Sequence, residues 1–85
     1  MVREGPLALT LYSRSYCHLC DELFDALEPW RGTGEIAVTV VDVDSDPALD
    51  RRFGERVPVL AWAGGEICHF VLDRARLHEV LALVG

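Results

Sequence analysis

The chain contains no lysine, and all eight of its basic residues are arginine. Chemistry that needs a lysine nucleophile is therefore excluded. Fourteen acidic residues give a net charge of −6. Nucleic-acid binding needs a basic surface, so no nucleic acid is expected as a partner. No segment approaches the roughly 20 apolar residues that cross a bilayer, and no membrane partner is expected. The N-terminal MVREGPLALTLYSRS has a short apolar run and no small-residue cleavage site. It reads as a strand, not a secretory signal, and the expected compartment is the cytoplasm. Three cysteines are an odd number and too few for a disulfide scaffold. In a reducing compartment, two of them in a Cys-x-x-Cys point to catalysis or metal binding before a structural staple. Repeats, linkers and low-complexity segments are absent as well. The 85 residues are read as one domain, 1–85, with a core only just adequate on its own, and as a monomer.

What is present is an alternation of elements. PLALTLY, Pro6 to Tyr12, is a strand with Leu7, Leu9 and Leu11 on one face. After the polar loop SRSY, Leu19, Leu23, Phe24 and Leu27 recur at helical spacing. This predicts an amphipathic helix over 17–27 that ends before Pro29. IAVTVVDVD, Ile36 to Asp44, is nearly continuous Val/Ile and suits a parallel strand buried on both faces. In SDPALDRRFG, Asp46 is the N-cap, Pro47 the first turn and Gly54 the stop of a short helix. VPVLAWA and EICHFV are strands joined by a tight turn at Gly64–Gly65. Asp73 caps a last helix whose apolar face is Leu77, Val80, Leu81 and Val84. The order β-α-β-α-β-β-α predicts two parallel β-α-β units, closed by an antiparallel hairpin strand into one mixed four-stranded sheet. Ligands of such sheets sit beyond the carboxyl ends of the parallel strands, where SRSY and Cys17 fall.

Cys17 and Cys20, at i and i+3, share a helix face and can approach closely enough to bridge. Cys17 stands at the helix N-terminus, where free N–H groups and the dipole favour thiolate. Cys20, a turn further in, is expected to be more buried. That asymmetry makes Cys17 the attacking and Cys20 the resolving thiol. Arg14 could stabilise the thiolate or hold an anionic thiol, and His18 could help when protonated. Asp21 and Glu22 work the other way, because carboxylates raise a neighbouring thiol's pKa.

LYSRSYCHLC resembles the glutaredoxin active-site segment, and RVPVL resembles the Thr-Val-Pro segment that faces it in that family. The element order is that of the thioredoxin fold, and the similarity covers nearly the whole chain, closest to the short bacterial glutaredoxin-like proteins. The resemblance implies a thiol–disulfide oxidoreductase with no bound cofactor, acting on protein disulfides or mixed disulfides with glutathione as co-substrate. It implies Cys17 as nucleophile, Cys20 as resolving thiol, and Arg14 on a glutathione carboxylate. Tyr16, His18 and Asp73 are further candidates for binding the thiol, and Val57 would offer its backbone in front of a cis Pro58. Two departures stand out. Arg56 replaces the family's Thr. The glycine-containing segment after the last strand reads HFVLDRARL, so only Asp73 matches it.

Two other classes stay open. One is a metal module, an iron–sulfur cluster shared between two chains or a zinc on Cys17 and Cys20. A zinc site needs four ligands, and the further candidates are Cys68, His69, His18 and His78, so no metal site is assigned. The other is a redox-inactive adaptor that uses the Pro58 surface. Cys68 reads as a small buried hydrophobe, His69 and His78 as surface residues, and Trp30 and Trp62 as packing. Arg51, Arg52 and Arg56 form a basic group near Pro58, either a solvated face or a contact for an anionic thiol. Asp42, Asp44 and Asp46 lack the glycine and terminal Glu of an EF-hand loop.

Overall fold

The computed structural model describes residues 5–84. The reading of Met1 to Glu4 concerns residues outside that range. β1 (Leu7–Ser13), α1 (His18–Ala26), α2 (Glu28–Gly32), β2 (Ile36–Asp42), α3 (Pro47–Phe53), β3 (Val59–Trp62), β4 (Gly65–His69) and α4 (Arg74–Val84) follow one another. The strands form one mixed sheet in the order β2-β1-β3-β4, an α/β architecture of the thioredoxin-like type. Among the described residues no helix is long and apolar enough to cross a membrane.

The alternation in β1 divides the molecule into two layers. Leu7, Leu9 and Leu11 are buried with Leu23, Leu27, Leu60, Leu77 and Val80, so α1 and α4 cover one face of the sheet. Tyr12, on the other face, joins Val43, Phe53 and Val59 in a small second cluster under α3. Its ring stacks on Phe53 with centroids 4.0 Å apart. Asp46 caps α3 by accepting from the Ala48 N–H at 2.8 Å, and Asp73 caps α4 through the Arg76 N–H at 3.0 Å.

Four expectations need correction. β1 and β2 are parallel, but β3 runs antiparallel to β1, so only one parallel β-α-β unit exists. The seven residues of α3 span about 10 Å, under half the roughly 23 Å of a seven-residue strand. The chain therefore re-enters the sheet at the end where β2 stopped and runs back. Secondly, β2 is an edge strand with Ile36 buried and Val40 51% exposed. Its Val/Ile run reflects β propensity, not burial on both faces. Thirdly, α1 matches the helix expected over 17–27, with Cys17 and Leu27 as its caps, but a separate helix α2 that was not expected follows it, with Pro29 in its first turn. A proline is at home there, since that N–H has no intrahelical acceptor. Lastly, Trp62 pairs with Gly65, so Ala63 and Gly64 make the turn, and Gly65, at φ +132°, opens β4.

Candidate active site

β1 ends at Ser13 and β3 begins at Val59, which pairs with Tyr12. The loop that leaves β1 and the Val57–Pro58 bond that enters β3 therefore meet at one end of the sheet. α1 starts from that loop. Cys17 has extended backbone at the N-cap position and its Sγ accepts the Cys20 N–H at 3.1 Å. The Cys17 sulfur thus occupies the place that a Ser or Asp oxygen takes in an ordinary N-cap. Cys17 is half-buried, whereas Cys20 is 3% exposed. The two are joined as a disulfide with Cα atoms 5.2 Å apart.

Each remaining predicted residue has a definite place. Tyr16 is fully exposed and its backbone is left-handed at φ 60°, a costly conformation for a bulky side chain. His18 is exposed, with Nε2 3.6 Å from Glu22 Oε1. Pro58 follows a cis peptide bond, as the resemblance implies, and is fully buried. Its carbonyl accepts the Phe70 N–H at 2.9 Å, which ties the end of β4 to the same corner. The Val57 backbone N–H and carbonyl make no hydrogen bond among the described residues.

Arg14 is part-exposed and is engaged by groups of its own chain. Its Nη2 binds Asp44 Oδ1 at 3.1 Å and Asp50 Oδ1 closer still, and its Nη1 reaches the Gly54 carbonyl at 3.4 Å. The hydrogen bonds to Asp44 and Asp50 hold its pKa above the usual value. The guanidinium thus fastens the loop before Cys17 to both ends of the α3 region. Asp73 is likewise occupied as the cap of α4.

The three aspartates of the discounted metal loop have separate duties. Asp42 accepts the Asp44 N–H, Asp44 holds Arg14, and Asp46 caps α3. Among the described residues no three His, Cys, Asp or Glu side chains gather as a metal site. The basic group also divides. Arg56 pairs with Glu66, and Arg52 lies over the Phe53 ring at 4.9 Å. His78 sits edge-on to Trp30 at 5.8 Å, which makes Trp30 a packing residue. Cys68 is buried, and burial pushes its thiol pKa up.

Sequence reasoning missed Asp44 and Asp50 as the partners of Arg14. They lie 30 and 36 residues away, and no local pattern joins them. It also missed the wall made by Phe70 and Val71. Phe70 has a left-handed backbone at φ 66° and is 42% exposed, and Val71 is 65% exposed. The signal available was the departure from the glycine-containing segment at this place.

The geometry agrees with solved structures. Protein Ne2328 from Nitrosomonas europaea superposes with a TM-score of 0.82 at 29% identity, over 94% of this chain and 96% of that one. Protein XcR50 from X. campestris gives a TM-score of 0.71 at 39% identity, over 91% and 99%. The buckwheat glutaredoxin–glutathione complex gives 0.60 at 17% identity, over 89% and 74%, a likeness of fold. A search of curated proteins gives no match. A family model matches residues 8–82, nearly the whole described structure, and the chain belongs to the glutaredoxin-like domain family (DUF836).

Proposed function

We propose that the protein is a thiol–disulfide oxidoreductase that works as a cytoplasmic monomer through Cys17 and Cys20. The observation that carries this reading is the Cys17 sulfur of a half-buried residue at the N-cap, receiving a backbone N–H, with the buried Cys20 sulfur as its disulfide partner one turn away. A hydrogen bond to sulfur is stronger when the sulfur is charged, so the cap favours the Cys17 thiolate. Starting from the dithiol, the Cys17 thiolate attacks one sulfur of a substrate disulfide. A mixed disulfide forms, the substrate S–S bond breaks, and the leaving thiolate takes a proton. Cys20, deprotonated, then attacks Cys17 Sγ and releases the second substrate thiolate, which is protonated in turn. Two electrons and two protons pass to the substrate, and the pair becomes the disulfide seen here. An external thiol such as glutathione restores the dithiol by the same exchange. The substrate is a protein disulfide or a mixed disulfide with glutathione.

The test compares Cys17→Ser and Cys20→Ser in a glutathione-coupled reduction assay. Cys17→Ser is expected to be inactive. Cys20→Ser retains activity on mixed disulfides if one thiol suffices, and loses it if the dithiol route is obligatory. Wild-type turnover by Cys17→Ser overturns the reading.

A further inference from the structure

Large apolar side chains crowd the end of the sheet that carries the disulfide. Tyr16 stands directly before Cys17 and Leu19 two residues after it, and both are exposed. Phe70 and Val71 follow β4 beside Pro58, to whose carbonyl Phe70 is hydrogen-bonded. Burial drives apolar groups inward, so exposed ones gathered at a reactive centre mark a contact surface. Tyr16 and Phe70 are also the two described non-glycine residues with left-handed backbone. Such strain is retained where the fold holds a side chain in place for use.

Between α1 and the 70–74 segment lies an open cleft of about 200 Å³, lined by Glu22, Leu23, Ala26, Phe70, Val71, Leu72 and Arg74. Leu19, one turn before Leu23 on α1, is exposed nearer Cys17 in the chain. Arg74 is exposed and has no carboxylate partner among the described residues. The other charge in the cleft, Glu22, stands near His18. Meanwhile Arg14, the cation three residues before Cys17, is paired with Asp44 and Asp50 of its own chain.

We propose that this site takes a polypeptide disulfide in preference to glutathione, seating apolar residues beside the substrate cysteine in the cleft between α1 and residues 70–74, with an acidic residue beyond them facing Arg74. The Val57 backbone, which makes no hydrogen bond among the described residues and precedes the proline whose carbonyl holds Phe70, offers an edge to which an extended chain can hydrogen-bond. Fit in such an apolar pocket is worth about ten- to a hundredfold in rate, and an exposed charge pair at its rim at most about fivefold.

This inference rests on the oxidoreductase reading, and one experiment separates the two. The pre-reduced protein is mixed with disulfide-linked peptides whose cysteine is flanked by Leu-Val or by Ser-Ser, each ending in Asp or in Lys. Oxidised glutathione and the neutral hydroxyethyl disulfide are run beside them. The Leu-Val peptide is expected to react about tenfold faster than the Ser-Ser peptide and faster than oxidised glutathione, with Asp favoured over Lys. Val71→Ser should collapse the Leu-Val over Ser-Ser ratio, and Arg74→Glu should reverse the Asp over Lys ratio. Equal rates for the two flanks, a preference for oxidised glutathione, or a ratio unmoved in Val71→Ser overturns the proposal while reduction of hydroxyethyl disulfide upholds the chemistry. Failure with every disulfide overturns both.

Discussion

Phe53→Ala tests whether the small cluster beneath α3 supports the reactive end of the sheet. Phe53 is 5% exposed, stacks on Tyr12 and packs with Val43 and Val59. Truncating a buried Phe costs about 3–5 kcal/mol, from lost transfer energy and the cavity left behind. A domain of 85 residues has a total stability of about 4–13 kcal/mol, so the change removes a large share of it. With a urea m-value of about 1.5 kcal/mol/M, a loss of about 4 kcal/mol lowers the midpoint by about 2.7 M. Phe53→Leu keeps most of the buried volume and should cost under about 1.5 kcal/mol, which provides a folded variant if the alanine does not survive. The consequence extends beyond stability because α3 carries Asp50 and ends at Gly54, two of the groups that hold Arg14. Loosening α3 releases the loop before Cys17, so the reduced Cys17 should alkylate faster in folded Phe53→Leu than in wild type. Val80→Ala, in the larger cluster on the opposite face, is the control. It should lower the midpoint without changing the thiol's reactivity. A loss below about 1 kcal/mol in Phe53→Ala, typical of surface sites, refutes the reasoning. So does a thiol response in Phe53→Leu no larger than in Val80→Ala.

Three other outcomes are expected. Burial alone would raise the Glu66 pKa, but hydrogen bonds from Arg56 and His69 outweigh it and hold the carboxyl below its usual value. Stability from this group is therefore present above the unfolded-state value of about 4.3 and is lost as pH falls through the lowered folded value. Wild type should exceed Glu66→Gln in Tm at pH 7 by the small margin of a part-exposed pair, under about 1 kcal/mol, and the margin should vanish in acid; a constant margin refutes the assignment. Gly65→Ala meets nothing within 4 Å of the added Cβ, yet its φ is +132°, so it should cost about 1–3 kcal/mol through backbone strain alone, read by urea denaturation. Burial raises the Cys68 thiol pKa, so in the folded, reduced protein at pH 7.5 iodoacetamide should modify Cys17 and leave Cys68 unmodified, which peptide mass mapping checks.

The layers of this fold were legible wherever a local pattern carries its own physical cause. The Leu7, Leu9, Leu11 alternation located the buried face of β1, Asp46 and Asp73 marked two helix starts, and the Cys17/Cys20 difference in burial followed from helix position. What was not legible depended on distance. The direction of β3 is set by the length of α3 relative to a strand, and the exposure of Val40 by the position of β2 at the sheet edge. Neither shows in composition, because Val and Ile favour strands whether or not a layer covers them.

The same distinction governs the candidate site. An arginine three residues before a reactive cysteine can serve a ligand's carboxylate or one of its own chain's, and the residue type is identical in both cases. The outcome rests on where α3 docks, since that docking carries Asp50 and the Gly54 carbonyl to Arg14, and Asp44 lies just before it. Phe70 poses the same problem. At the end of a strand an apolar pair reads as core, and only the left-handed turn at Phe70 directs the chain so that Phe70 and Val71 face outward beside Pro58. The chemistry of the cysteine pair is thus written locally, in the cap of one helix. The partners of Arg14 and the outward turn at Phe70 are written in long-range contacts, and on the substrate choice proposed above they are what would set this site apart from a glutathione site.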